Sequence, residues 1–237
     1  MTLVLALLLG ITTGVVAQQV APAPVHEPHI ITVRDNEPSE FLDAVVVQSS
    51  AQMDGYITYA LGVRPKSGAD VSTIYTIFGS PSAAPMQFPA AFQAAAPAFG
   101  ADIGGTNPLF VTYLPTAACD SWLTVGVTEG NAAMAISTVG IDSTQWSGDQ
   151  PLTVENGAAF WMHPDAAPKL THTGGAVQIA QLTIPTATAW RAVVNVQGKN
   201  AGAEAGRDWQ HHGLVFDNEP YMHMRAMPAV LPTPTGH

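Results

Sequence analysis

Histidine forms the first group of side chains whose types and spacing suit chemistry. The segment DWQHHGLVFDNEPYMHMRAMP holds His211, His212 and His223, with Met222, Met224 and Met227. Adjacent side chains on a strand point to opposite faces, so His211 and His212 do not easily share an ion. A turn over 217–220 that sets Phe216 against Tyr221 puts Leu214 opposite His223. His212 then becomes a diagonal neighbour of His223 on the same face. Two imidazoles there, with His163 or Asp165 from WMHPD as a third ligand, make the donor set of a zinc or copper site. A register slip of one residue destroys that pairing. The competing reading is hydrogen-bonded histidines near a sheet edge, with methionines filling gaps in the core.

The second group is aromatic and polar. In 121–128 a strand phase puts Leu123, Val125 and Val127 on one face, and Asp120, Trp122, Thr124 and Thr128 on the other. An indole on an otherwise polar face is either covered by a loop or an exposed platform. Trp146 sits in the loop DSTQWSGDQ between Asp142 and Asp149. Sugar rings present C–H faces that pack on indoles, and nearby carboxylates and amides bond their hydroxyls. Asp120, Trp122, Thr124, Asp142, Trp146 and Asp149 are therefore glycan-contact candidates. Trp190 shares its face with Ala192, Val194 and Val196, which reads as core.

The third group is acidic: Asp142, Asp149, Glu155 and Asp165, with Asn156 among them. Such loops supply oxygen ligands to calcium, yet no EF-hand or nonapeptide pattern is present. A pair of these carboxylates also has the makings of a general acid and base, at a separation the sequence does not give. The usual enzyme signatures are absent: no Walker loop, no dinucleotide fingerprint, no G-x-S-x-G and no H-E-x-x-H. No cofactor is expected. The single cysteine, Cys119, excludes C-x-x-C metal chemistry and any intramolecular disulfide.

The elements that must position these groups are short and β-like. Candidate strands are 30–34, 41–48, 56–63, 71–79, 109–114, 121–128, 134–140, 152–155, 159–162, 177–184, 190–197 and 210–216, rich in Val, Ile, Thr and aromatics. Asn156-Gly157 between two such runs predicts a two-residue hairpin, with Thr153 opposite Phe160 and Leu152 opposite Trp161. A second fold-back is expected at Glu129-Gly130-Asn131. Helical signal is weak; 89–96 offers two turns before Pro97 stops it. The pattern predicts an all-β fold: an antiparallel, jelly-roll-like β-sandwich of roughly 10–12 strands with little helix. The long segment 80–108 reads as a packed surface loop held by Met86, Phe88, Phe92 and Phe99.

Residues 1–17 (MTLVLALLLGITTGVVA) read as an export signal, with small residues at Val15 and Ala17 for cleavage. The apolar run is shorter than the about 20 residues a membrane span needs. A proline-rich leader over 18–29, one sandwich domain over 30–227 and a proline-rich tail over 228–237 follow. The sequence has 237 residues, 47% apolar and 11% charged, with a formal net charge of -10. That composition excludes a mainly disordered chain. Eight Lys and Arg in total cannot build a broad phosphate-neutralising surface, so nucleic acid is not an expected partner.

These features predict a secreted, extracellular protein, periplasmic in a Gram-negative cell, with no membrane span after signal removal. The expected role is non-enzymatic contact with polysaccharide or extracellular matrix. The alternatives are a hydrolase or metal-dependent enzyme on the same scaffold, and a structural subunit that assembles through sheet edges.

Overall fold

The computed structural model describes residues 29–32, 40–51, 53–94, 100–130, 135–171 and 175–219. The expected export signal, residues 18–28 of the leader, His223 and the tail lie outside the described residues. The described chain is an all-β sandwich of two antiparallel sheets packed against each other. The first sheet is built from β1 (His29–Thr32), β2 (Leu42–Ser50), β3 (Tyr56–Pro65), β10 (Val177–Pro185) and β6 (Trp122–Leu123), in that spatial order. The second is built from β7 (Ile136–Val139), β9 (Gly157–Trp161), β4 (Val71–Gly79), β11 (Arg191–Asn200) and β12 (Asp208–Asp217). Two short pieces, β5 (Met86–Phe88) and β8 (Leu152–Val154), complete it. No helix among the described residues is long and apolar enough to cross a membrane.

Alternation along the strands builds the core. Leu42, Ala44 and Val46 on β2 and Tyr59, Leu61 and Val63 on β3 point inward. They meet Ile74 and Ile77 on β4, Val194 and Val196 on β11, and Leu214 and Phe216 on β12. Trp190 is in the core as its phase predicts, its ring edge-on to Tyr59 with centroids 5.0 Å apart. Leu123, Val125 and Val127 are likewise buried.

The expected hairpin at Asn156-Gly157 does not form. Gly79 pairs with Gly157, and Met86 pairs with Val154. So β4 and β5 form one interrupted strand, and β8 and β9 form its interrupted partner. Leu152–Val154 and Gly157–Trp161 run in line instead of folding back. The two-residue turn needs positive φ, and Gly157 keeps φ outside that range. Glycine is needed where the chains cross: a Cβ on Gly79 would lie 1.8 Å from the Val154 carbonyl oxygen.

Three other expectations are corrected. Segment 109–114 is not a strand; Pro108–Tyr113 is the helix α1. The Asn107 side chain accepts from Leu109 N at 2.9 Å, and Pro108 opens the first turn, a pairing of N-cap and N1 residues that favours helix. Segment 121–128 is regular strand only at Trp122 and Leu123. Thr124 N and Gly126 N still donate to the Ile179 and Gln178 carbonyls, but Gly126 takes positive φ and the Thr124 hydroxyl bonds both the N–H and the carbonyl of Val127, which turns the chain. Segments 121–128 and 134–140 do not form a hairpin, since β6 joins the first sheet and β7 the second. Residues 131–134, which include the expected turn residue Asn131, lie outside the described residues.

Within 80–108, Met86 and Phe88 are buried as expected, and Phe92 packs edge-on to Tyr56. Phe99 lies outside the described residues. Cys119 is buried and forms no disulfide.

Candidate functional site

The structure covers most of the glycan-contact candidates. Trp122 is 3% exposed and Trp146 4%, so neither presents the open indole that a sugar ring needs. Trp122 forms one wall of a cleft of about 250 Å³ whose other walls include Pro108, Val111 and Ala118. The Trp146 indole N–H donates to the Pro89 carbonyl at 2.9 Å, which ties its loop down. Thr124 is spent on its own turn. Asp142 and Asp149 remain exposed; Asp142 holds the Thr144 N–H and hydroxyl at 3.0 and 2.6 Å, and these bonds lower its carboxyl below the usual range.

Asp120 is a structural staple. Its side chain is fully buried and accepts from Ala94 N at 2.7 Å and Ala101 N at 2.6 Å. Burial pushes its carboxyl up to about 6, and these backbone bonds oppose the shift. Beside it an open pocket of about 490 Å³ is lined by Gln93, Asp102, Ser143, Thr144 and Trp146. Asp102 accepts from the Ser143 hydroxyl at 2.7 Å. The loops of Asp120, Asp142 and Trp146 thus converge, but on bonds already made to each other.

The histidine candidates are not brought together. His163 and Asp165 are exposed just beyond β9, whereas His212 is on β12. β4 and β11 lie between, so about 14 Å of sheet separates the two strands. Among the described residues no three His, Cys, Asp or Glu side chains group closely enough to hold a metal ion. The His212 ring instead meets Phe78 edge-on at 5.9 Å and bonds Gln210 Oε1 at 3.2 Å.

That contact leads to a surface the sequence reading missed. On the outer face of the second sheet, register aligns Ser137, Phe160, Thr76, Gln197 and Gln210 side by side across five strands. Phe78, Tyr75 and the Lys199–Asp208 pair flank this row. The rings of Tyr75, Phe78 and Phe160 are half-buried, and Gln210 is exposed. A hydrogen-bond chain crosses the face. The Tyr75 hydroxyl bonds Asp208, Gln197 Nε2 donates to the Tyr75 oxygen, and Gln210 Nε2 donates to Gln197 Oε1 at 3.0 Å.

The charged pair beside the row is closed on itself. Lys199 Nζ meets Asp208 Oδ1 at 2.6 Å and sits 5.7 Å from the centre of the Tyr75 ring. The Lys199 hydrogen bond holds the Asp208 carboxyl below its ordinary range. Burial, then the bond and charge of Asp208, push the Tyr75 hydroxyl up to about 12.

No family model, curated protein or solved structure matches this chain. Chemistry at the surface is therefore the guide to function. Strand register hid this face from the sequence: a bulge at Tyr75 shifts β4 between Ile74 and Thr76, and another between Val194 and Val196 shifts β11 against β12. The available signal was three aromatic residues on β4 and β9 (Tyr75, Phe78 and Phe160) and the glutamines Gln197 and Gln210 on β11 and β12.

Proposed function

We propose that this chain is an exported, non-enzymatic β-sandwich protein that contacts glycan or extracellular matrix through the outer face of its second sheet. The observation that carries the reading is the placement of Tyr75, Phe78 and Phe160 on one sheet face with the linked amides of Gln197 and Gln210, Gln197 itself donating to Tyr75. Aromatic rings pack on the C–H faces of sugars, and planar amides bond vicinal hydroxyls as donor and acceptor together. A flat sheet face suits a polymer better than a deep pocket does. Export is part of the reading and rests on the aliphatic segment 1–17 with its small residues at 15 and 17.

The test is sedimentation with a panel of insoluble polysaccharides and matrix components. Wild-type protein is expected to leave the supernatant with at least one of them. The double variant Tyr75→Ala, Phe160→Ala is expected to stay behind while keeping a β-type circular dichroism spectrum. Wild-type protein that sediments with none of the panel overturns the reading.

A further inference from the structure

We infer that the glycan is a neutral chain and that it lies across the strands, along the row Ser137, Phe160, Thr76, Gln197 and Gln210; this rests on the glycan-contact reading above. The first observation is geometric. The five residues occupy one register line on β7, β9, β4, β11 and β12. Four strand spacings make the line about 19 Å long. Thr76 is only 9% exposed, while Phe160 stands on one side of it and Gln197 on the other. The low threonine makes a dip part-way along the row, so a chain laid across the strands meets the Phe160 ring, bridges Thr76 and then meets the linked amides of Gln197 and Gln210.

The second observation is charge. None of the five side chains in the row is ionisable. The nearest charges, Lys199 and Asp208, are joined at 2.6 Å and cancel. The whole chain carries a formal net charge of -10, which repels uronic or sulfated polymers. After their mutual bond, Gln197 and Gln210 still hold spare lone pairs, and Gln210 a spare N–H, the complement of a hydroxyl-rich uncharged ligand.

The experiment titrates the full chain with a neutral glucan series of increasing length and with a uronic-acid polymer, at low and high salt. Affinity for the neutral series is expected to rise with length until the row is filled. It is expected to be insensitive to salt, because no ion pair forms. The uronic polymer is expected to bind at least about tenfold more weakly. Ser137→Arg obstructs one end of the row and Gln210→Ala removes bonds at the other. Both sit on edge strands, and each is expected to weaken the long glucan about tenfold. If only one or neither does so, the cross-strand path is wrong. Tighter binding of the uronic polymer, falling with salt, overturns the neutral class and leaves the contact reading standing. Binding of no glycan at all removes both.

Discussion

Lys199 Nζ and Asp208 Oδ1 meet at 2.6 Å across the β11–β12 pair, directly opposite each other in register. The pair does more than tie an edge strand to its neighbour. It places the ammonium against the Tyr75 ring and the carboxylate against the Tyr75 hydroxyl. Both charges are used within the sheet, so the row beside them, from Ser137 to Gln210, is polar without being charged.

Tyr75 should therefore titrate late. Its hydroxyl is pushed from 10.0 to about 12, by burial first and by Asp208 next. A phenol that keeps its proton longer in the folded state contributes stability that is complete below pH 10 and disappears as pH rises through about 12. Urea denaturation of wild type and Tyr75→Phe between pH 9 and 11 measures this. The stability advantage of wild type is expected to shrink over that interval. A constant difference between the two proteins would show that Tyr75 titrates normally.

Asp120 should produce a slope at acid pH. Its carboxyl is raised from 3.8 to about 6, chiefly by burial. The folded state then holds a proton that the unfolded chain releases. Stability from this group is fully present below pH 3.8 and is lost as pH rises through about 6. Asp120→Asn is expected to remove that slope from the denaturation profile. Asp120→Ala leaves the N–H groups of Ala94 and Ala101 without their acceptor and should cost about 2–5 kcal/mol. An Asn variant with the wild-type pH profile would assign the slope elsewhere.

The two buried indoles at positions 146 and 190 should respond differently to Phe. Trp146 donates to the Pro89 carbonyl at 2.9 Å. Trp190 Nε1 is buried with no hydrogen-bond partner. Both replacements remove similar volume, but only Trp146→Phe breaks a bond. Trp146→Phe is expected to be less stable than Trp190→Phe by about 1–3 kcal/mol, read from denaturant midpoints. Equal losses would mean that the indole N–H of Trp146 contributes nothing.

Gly79 should tolerate no side chain. A Cβ there would press on the backbone of Val154 and Met86, and backbone cannot step aside as a flexible side chain can. Gly79→Ala should cost at least about 3 kcal/mol or abolish folding. Gly148 has open space around the same position, and Gly148→Ala is expected to stay within about 0.5 kcal/mol of wild type. Thermal melting of the pair checks both. A stable Gly79→Ala protein would contradict the crossing of the two interrupted strands.

Legibility varied with the range of the interactions involved. The β4 run over 71–79 was readable to its ends, because its branched and aromatic residues favour extended backbone locally. The core role of Trp190, Ala192, Val194 and Val196 followed from the same period. Segment 109–114 misled because its apolar composition outweighed the capping pair Asn107-Pro108. Asn156-Gly157 misled because its turn propensity is local, whereas its actual path is set by the distant Gly79. Trp146 looked out of phase with the core because its partners come from a distant segment: the Phe88 ring, 6.1 Å between centroids, and the Pro89 carbonyl.

Composition and periodicity alone determined that this chain packs as a β-sandwich, since the alternation of apolar and polar side chains is written residue by residue. Which strands become neighbours was decided by tertiary structure, because pairing depends on bulges and on bare glycines where chains pass close together. The row from Ser137 to Gln210 draws one residue from each of five strands. A shift of one residue in any of them would turn its member inward and dissolve the surface.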